Sequence, residues 1–247
     1  MSYPIMTPSA ARGVLDAILF KKATQPDGRL APAFKWHVRR ITAIHPPAGI
    51  SAGPPTQPHE MVSIRRNEIM SKIPLRSVQS WMNEPEGFEP YRVDQTDRKG
   101  FGRAQRNTLL LREVAYVIEA SVDMQTWSSD DPPVKYREMF TRRVAKGQCF
   151  QRPYLGCREF ACDFAPTDGS ERAMGDWTDD LGLMLYDIAY GADRGREDNQ
   201  PGFFHAQVRG GVLHCDTAGP GPSGEPPVQV LGWDDTIASA IAKEGQP

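Results

Sequence analysis

Only two stretches of this chain have the apolar spacing of a surface helix, and they stand far apart, with strand-like segments between and after them. The first begins at Thr7, a natural N-cap, with Pro8 at the first helical position. Ala11, Val14, Leu15 and Ile18 then recur at intervals of three and four, which predicts a helix ending near Phe20. The second follows Asp130-Asp131-Pro132-Pro133, has Tyr136, Met139, Phe140 and Val144 as its stripe, and meets Gly147 where a C′ glycine belongs. A chain with so few helices must bury them on a sheet.

The strand signals supply one. Phe34, Trp36 and Val38 alternate with Lys35, His37 and Arg39, the pattern of a half-buried strand. Residues 61–69 read as a short strand. Residues 108–122 read as one long strand with Val114, Tyr116, Ile118 and Ala120 on a face. Residues 150–164, 181–190, 203–208 and 212–215 read as further strands, the last two joined by a Gly210-Gly211 hairpin. Residues 21–33, with Gln25-Pro26-Asp27-Gly28, read as a turn-rich loop. The segment 46–58 holds five prolines and two glycines and excludes regular structure. Residues 75–106 read as a long polar loop, and the Pro/Gly-rich residues 216–247 as a flexible tail. Helix, three strands, helix and strand approach the β-α-β-β-α-β order. The expectation is therefore an α+β chain: a ferredoxin-like (RRM-like) domain over 1–147, lacking its first strand, and an antiparallel β-rich extension over 148–215.

Charge is distributed unevenly. The net charge is −2, but residues 1–158 carry 24 Lys and Arg against 15 Asp and Glu, while residues 159–247 carry 5 against 16. Arginine outnumbers lysine 17 to 7 in the basic part, and its planar fork suits phosphate contacts and stacking on bases. Clustering of this kind also arises on an ordinary solvated surface. No run approaches the ~18 apolar residues of a membrane span, so no membrane partner is expected. Met1-Ser2-Tyr3-Pro4 carries no basic and apolar leader, so a cytoplasmic location is expected, with Cys149, Cys157, Cys162 and Cys215 as free thiols. The five histidines do not fall at metal-ligand spacing, and Cys157 and Cys162 have no second pair, so no metal or other cofactor is expected.

Several ordered motifs resemble one family. They are Ser2-Tyr3 with Met6-Thr7-Pro8-Ser9-Ala10-Ala11-Arg12-Gly13, Ile64-Arg65-Arg66-Asn67-Glu68, and Gln105-Arg106-Asn107-Thr108-Leu109. Gly147-Gln148-Cys149-Phe150, Pro153-Tyr154-Leu155-Gly156-Cys157-Arg158-Glu159-Phe160, Leu181 to Asp187 and Phe203-Phe204 complete the series. Over residues 2 to about 215 the chain resembles the Cas-five proteins of CRISPR subtype I-C. That resemblance implies a repeat-specific endoribonuclease that cuts precursor crRNA and then stays on the 5′ handle of the product. It also implies a place in the Cascade surveillance complex, beside the Cas-seven backbone, the Cas-eight large subunit and the small subunit. The implied reaction needs no metal: the ribose 2′-OH attacks the adjacent phosphate, leaving a 2′,3′-cyclic phosphate and a 5′-OH.

Such chemistry calls for a base, an acid and a cation facing the phosphorane. The resemblance places a tyrosine on the first helix and a Lys-His pair at the start of the second. Here the lysine is Lys135, the histidine position holds Tyr136, and the tyrosine position holds Leu19. Lys135 suits the developing charge; Tyr136 either transfers a proton or heads the apolar stripe of its helix. His37 is a further candidate imidazole. Arg65, Arg66, Arg106, Arg142, Arg143, Arg152 and Arg158 are the candidate phosphate contacts. Phe150 and Tyr154 are either stacking faces for unpaired bases or core residues of their strands. The family's leading strand is also missing before Ser2, which implies either a start set too far downstream or another chain in its place. Two functions stay open: a processing endoribonuclease, and a subunit that binds the handle without cutting.

Overall fold

The computed structural model describes residues 3–45, 59–69, 75–87, 103–125, 131–190, 199–222 and 224–233. The chain mixes helices with antiparallel sheets and divides into two compact units, one of residues 1–2 and 60–112, the other of residues 3–59 and 113–247.

In the larger unit, helix α1 (Pro8–Ile18) starts as its sequence dictates: the Thr7 hydroxyl accepts from the Ala10 N–H at 3.2 Å. Its whole expected stripe is buried, and it stops two residues short of expectation, with Leu19 already extended. Residues 21–33 are not an irregular loop. Strands β1 (Lys22–Thr24) and β2 (Leu30–Pro32) pair across a turn in which Gly28 adopts φ 83° and Asp27 accepts from the Arg29 N–H. Strand β3 (Phe34–Ala43) buries Phe34, Trp36 and Val38, then changes phase to bury Ile41 and Ala43. A bulge between Val38 and Arg40 causes the switch, because one extra residue turns every later side chain over.

Strands β4 (Glu60–Ile69) and β5 (Arg103–Arg112) belong to the smaller unit, with helix α2 (Leu75–Asn83) and a short 3-10 turn at Pro85–Gly87 between them. Their ladder runs from Glu60 opposite Arg112 to Ile69 opposite Arg103. Helix α2 and β5 correct the expected loop over 75–106; residues 88–102 lie outside the described residues. The expected single strand 108–122 is also two. It breaks at Glu113, whose φ is 52°, and continues as β6 (Tyr116–Met124) in the other unit. Nothing in Leu111-Arg112-Glu113-Val114 signals the break, since no glycine or proline marks it.

Helix α3 (Pro133–Ala145) ends in a Schellman motif: Gly147 at φ 63° gives its N–H to the Val144 carbonyl, and Gln148 gives its own to Arg143. Strands β7 (Asp179–Ala189), β8 (Gln200–Arg209) and β9 (Val212–His214) follow, and Gly210-Gly211, both at positive φ, turn the β8–β9 hairpin as expected. The sheet order is β6-β3-β9-β8-β7, all antiparallel, so strands from both halves of the chain share one sheet. Helix α1 lies on β3 and β7, α3 lies on β6, and the two helices touch. Phe204, Met184, Ile41, Leu213 and Val208 are fully buried beneath them; burial of such a side chain is worth roughly 1.5–3 kcal/mol.

Two further expectations fail. Residues 150–164 form no strand; a single bridge pairs Tyr154 with Ala161 around Gly156 at φ 77°. Their amides are satisfied otherwise: Phe150 and Gln151 both bond the Ala17 carbonyl at the end of α1, and Cys162 bonds Pro153. The described part of the expected tail is no tail. Leu231 exchanges both backbone hydrogen bonds with Phe203, Trp233 donates its indole N–H to the Gln200 carbonyl, and Val228, Val230 and Trp233 pack on the core.

Candidate nucleic-acid interface and active site

Lys135 sits in the first turn of α3, where two prolines, Pro132 and Pro133, offer no N–H to an incoming anion. Positive charge at this helix end is therefore carried chiefly by the lysine. Its ammonium donates to Asp131 at 2.7 Å, and half of its side chain is exposed. That hydrogen bond pushes its pKa above the ordinary lysine value, so the group is a full cation at neutral pH. The Tyr136 hydroxyl donates to the same Asp131 oxygen at 3.1 Å. One carboxylate thus gathers a cation and a phenol, and sequence reading had not singled it out. The signal was present: Asp131 and Lys135 stand at i, i+4.

The ring of Tyr136 heads the apolar stripe after all. It is buried, with its centroid 4.7 Å from that of Phe34, and only its hydroxyl reaches the polar end of the helix. Leu19 is wholly buried and contributes its backbone carbonyl, which accepts from the Trp36 indole at 3.4 Å. His37 lies on the strand face opposite Trp36, held between Asp216 at 3.0 Å and Asp123 at 3.5 Å, and is committed to a structural network.

The candidate arginines divide by what they touch. Arg143 donates to the Ile18 carbonyl at 2.8 Å, stitching the last turn of α3 to the end of α1. Arg142, one residue earlier in the same turn, is exposed. Arg152 and Arg158 line one cavity of about 260 Å³ together with Gln151, Pro153, Tyr154 and Ala161. Among the described residues Arg152 pairs with an exposed Asp163 at 3.5 Å, and Arg158 pairs with no carboxylate. Phe150, expected either in a core or as a stacking face, is 69% exposed. In the smaller unit Arg65 is exposed opposite Asn107, and Arg66 stands opposite Arg106 in the ladder; the side chains of Arg66 and Arg106 lie outside the described residues. Among the described residues no group of three His, Cys, Asp or Glu side chains is placed so that it could hold a metal ion, and no helix is long and apolar enough to cross a membrane.

Comparison with known proteins identifies the family. The family model described as CRISPR-associated protein (Cas_Cas5), of the Cas5d type, matches residues 1–216. A protein of Mannheimia succiniciproducens named CRISPR pre-crRNA endoribonuclease Cas5d is 36% identical over 220 residues, covering 86% of this chain and 84% of its own. A protein of Thermus thermophilus with the same name is 36% identical over 227 residues, covering 86% of this chain and 80% of its own. A solved structure titled "Crystal Structure of CRISPR-associated Protein" superposes with a TM-score of 0.49 at 18% identity, covering 92% of this chain and 86% of that one. With 216 residues matched by the family model and two relatives above one-third identity, the chain belongs to the Cas5d family of CRISPR-associated proteins.

Proposed function

We propose that this protein cuts precursor crRNA at one phosphate beside the repeat hairpin and keeps the 5′ handle of the product. The relatives' shared name supports the substrate, and one observation supports the site: Lys135 and the Tyr136 hydroxyl converge on Asp131 at the exposed start of α3. In this reading Lys135 leaves Asp131 for the phosphate and neutralises the charge that builds on its oxygens as the 2′-OH attacks. Asp131 and Tyr136 then form the proton-handling pair. An ionised carboxylate accepts a hydroxyl proton only weakly at neutral pH, and a phenol is a weak acid, so the expected turnover is modest. No metal takes part in the step as written. The arginines of the 142–158 region and of the β4–β5 ladder supply the salt-sensitive grip on phosphates.

The helices α1 and α3 over the β3–β6 pair are, in this reading, the ferredoxin-like half of the chain. The partners are the Cas-seven, Cas-eight and small subunits of a subtype I-C Cascade complex in the cytoplasm. One observation favours a second reading, in which the protein binds the handle without cutting: Leu19, buried and apolar, stands where the family resemblance calls for a tyrosine.

End-group analysis separates the two. Incubation with cognate repeat RNA in EDTA should give one cut, with a 2′,3′-cyclic phosphate on the upstream product. Tight binding without product would overturn the endoribonuclease reading and leave the second.

A further inference from the structure

The loop after α3 has the features of a second RNA contact. It is built rigidly for a loop: Pro153 is fully buried, and Leu155, Cys162 and Phe164 pack on Val14, Ile18 and Val144 from the two helices. The Phe150 and Gln151 amides are fixed to the end of α1, and Leu155 closes the turn onto the Phe160 carbonyl. On this base the Phe150 ring is left 69% exposed. Beside it in the chain is a cavity of about 260 Å³ with two guanidinium groups, one tyrosine and one glutamine. That is below the ~300 Å³ at which pockets for drug-sized ligands begin, so it suits part of a nucleotide, such as its phosphate, and not a whole one. Phe150 lies two residues before Arg152 in the chain, outside that cavity, and an exposed aromatic ring combined with arginines is a recurring device for holding an unpaired base and its phosphate.

We infer that the 150–162 loop binds one unpaired nucleotide of the transcript, stacked on Phe150 with its phosphate taken by Arg158 and Arg152. We further infer that this contact sets which phosphate reaches Lys135. Lys135 lies in the first turn of α3, and the loop leaves the helix after Ala145, about 15 Å further along its axis. A rigid spacer between a nucleotide clamp and a cation fixes the number of nucleotides between them. The register role rests on the endoribonuclease reading; nucleotide binding does not.

The test uses the full chain and short single-stranded RNAs from the repeat's flank, each with 2-aminopurine at one position. Binding should quench the probe strongly at one position. Phe150→Ala should remove that quench and weaken binding about 10-fold, and Phe150→Trp should restore both. Arg158→Ala should weaken binding and lower the slope of log K against log salt by about 0.7. Both side chains are exposed, so the melting temperature should not move, and Lys135→Ala should leave the quench intact. Unchanged quench and affinity in Phe150→Ala and Arg158→Ala would overturn the inference even if the protein cuts RNA. A Phe150-dependent quench in a protein that never cuts would sink the endoribonuclease reading and leave the nucleotide site standing.

Discussion

At the scale of single residues, charge is used here mostly to hold the fold. Asp216 is a buried carboxylate that accepts from His37, Arg39, and the Ala218 and Gly219 amides. Burial alone would raise its pKa; the hydrogen bonds outweigh it and hold the carboxyl below its ordinary value. Its folded pKa is therefore below the unfolded one, so its contribution is complete above the usual carboxylate range and is lost as pH falls through the folded value. Asp216→Ala should cost about 2–4 kcal/mol in denaturant titrations at pH 7, with the gap from wild type closing in acid. Asp16 behaves oppositely. Burial pushes its carboxyl up to about 6 despite Arg12, so ionisation at neutral pH works against folding. Asp16→Asn should stabilise at pH 7.5 by on the order of 1–2 kcal/mol, and the gain should fade as pH drops below about 6. Sequence reading singled out neither group. Both owe their state to partners or burial set by distant parts of the chain, which spacing along the sequence does not display. The same applies to Arg142 and Arg143, adjacent and alike in sequence, of which one is exposed and the other caps a helix.

At the scale of elements, local chemistry was legible and tertiary breaks were not. The Thr7 cap, the Gly147 stop and the Gly210-Gly211 hairpin lie where turn and cap preferences put them, because each is decided by a few neighbouring residues. The hairpin glycine is under a specific constraint. A Cβ on Gly211 would lie 2.8 Å from the Met174 carbonyl oxygen at a φ of 77°, so Gly211→Ala should destabilise by about 2–3 kcal/mol in equilibrium unfolding. The split of 108–122 and the irregular 150–164 stretch were not legible, since Glu113 carries no turn signal and the Phe150–Phe164 aromatics look strand-like. The described residues after Asp216, 217–222 and 224–233, misled by composition: proline and glycine there shape a segment of which Val228, Val230 and Trp233 pack on the core. Trp233→Ala should therefore lower stability by about 2 kcal/mol, whereas a loose tail would leave the melting temperature unchanged.

For the whole molecule, the division of charge along the chain foretold function better than it foretold structure. A balance of 24 basic to 15 acidic residues up to residue 158 suits a polyanion, and the family identified from residues 1–216 is one whose curated relatives are named for RNA processing. Long-range electrostatics of this kind sets partners, not folds. The catalytic question is narrower and falls on Lys135 and its shared carboxylate. The most direct measurement is single-turnover cleavage of cognate repeat RNA in EDTA by wild type and Lys135→Ala, with the dissociation constant of each measured in parallel. A catalytic role for Lys135 predicts one cut by wild type, a rate lowered by about 10²–10³ in the variant, and dissociation constants within about threefold of each other. Equal rates in the two proteins, or a loss of cleavage that follows only from lost binding, would contradict it.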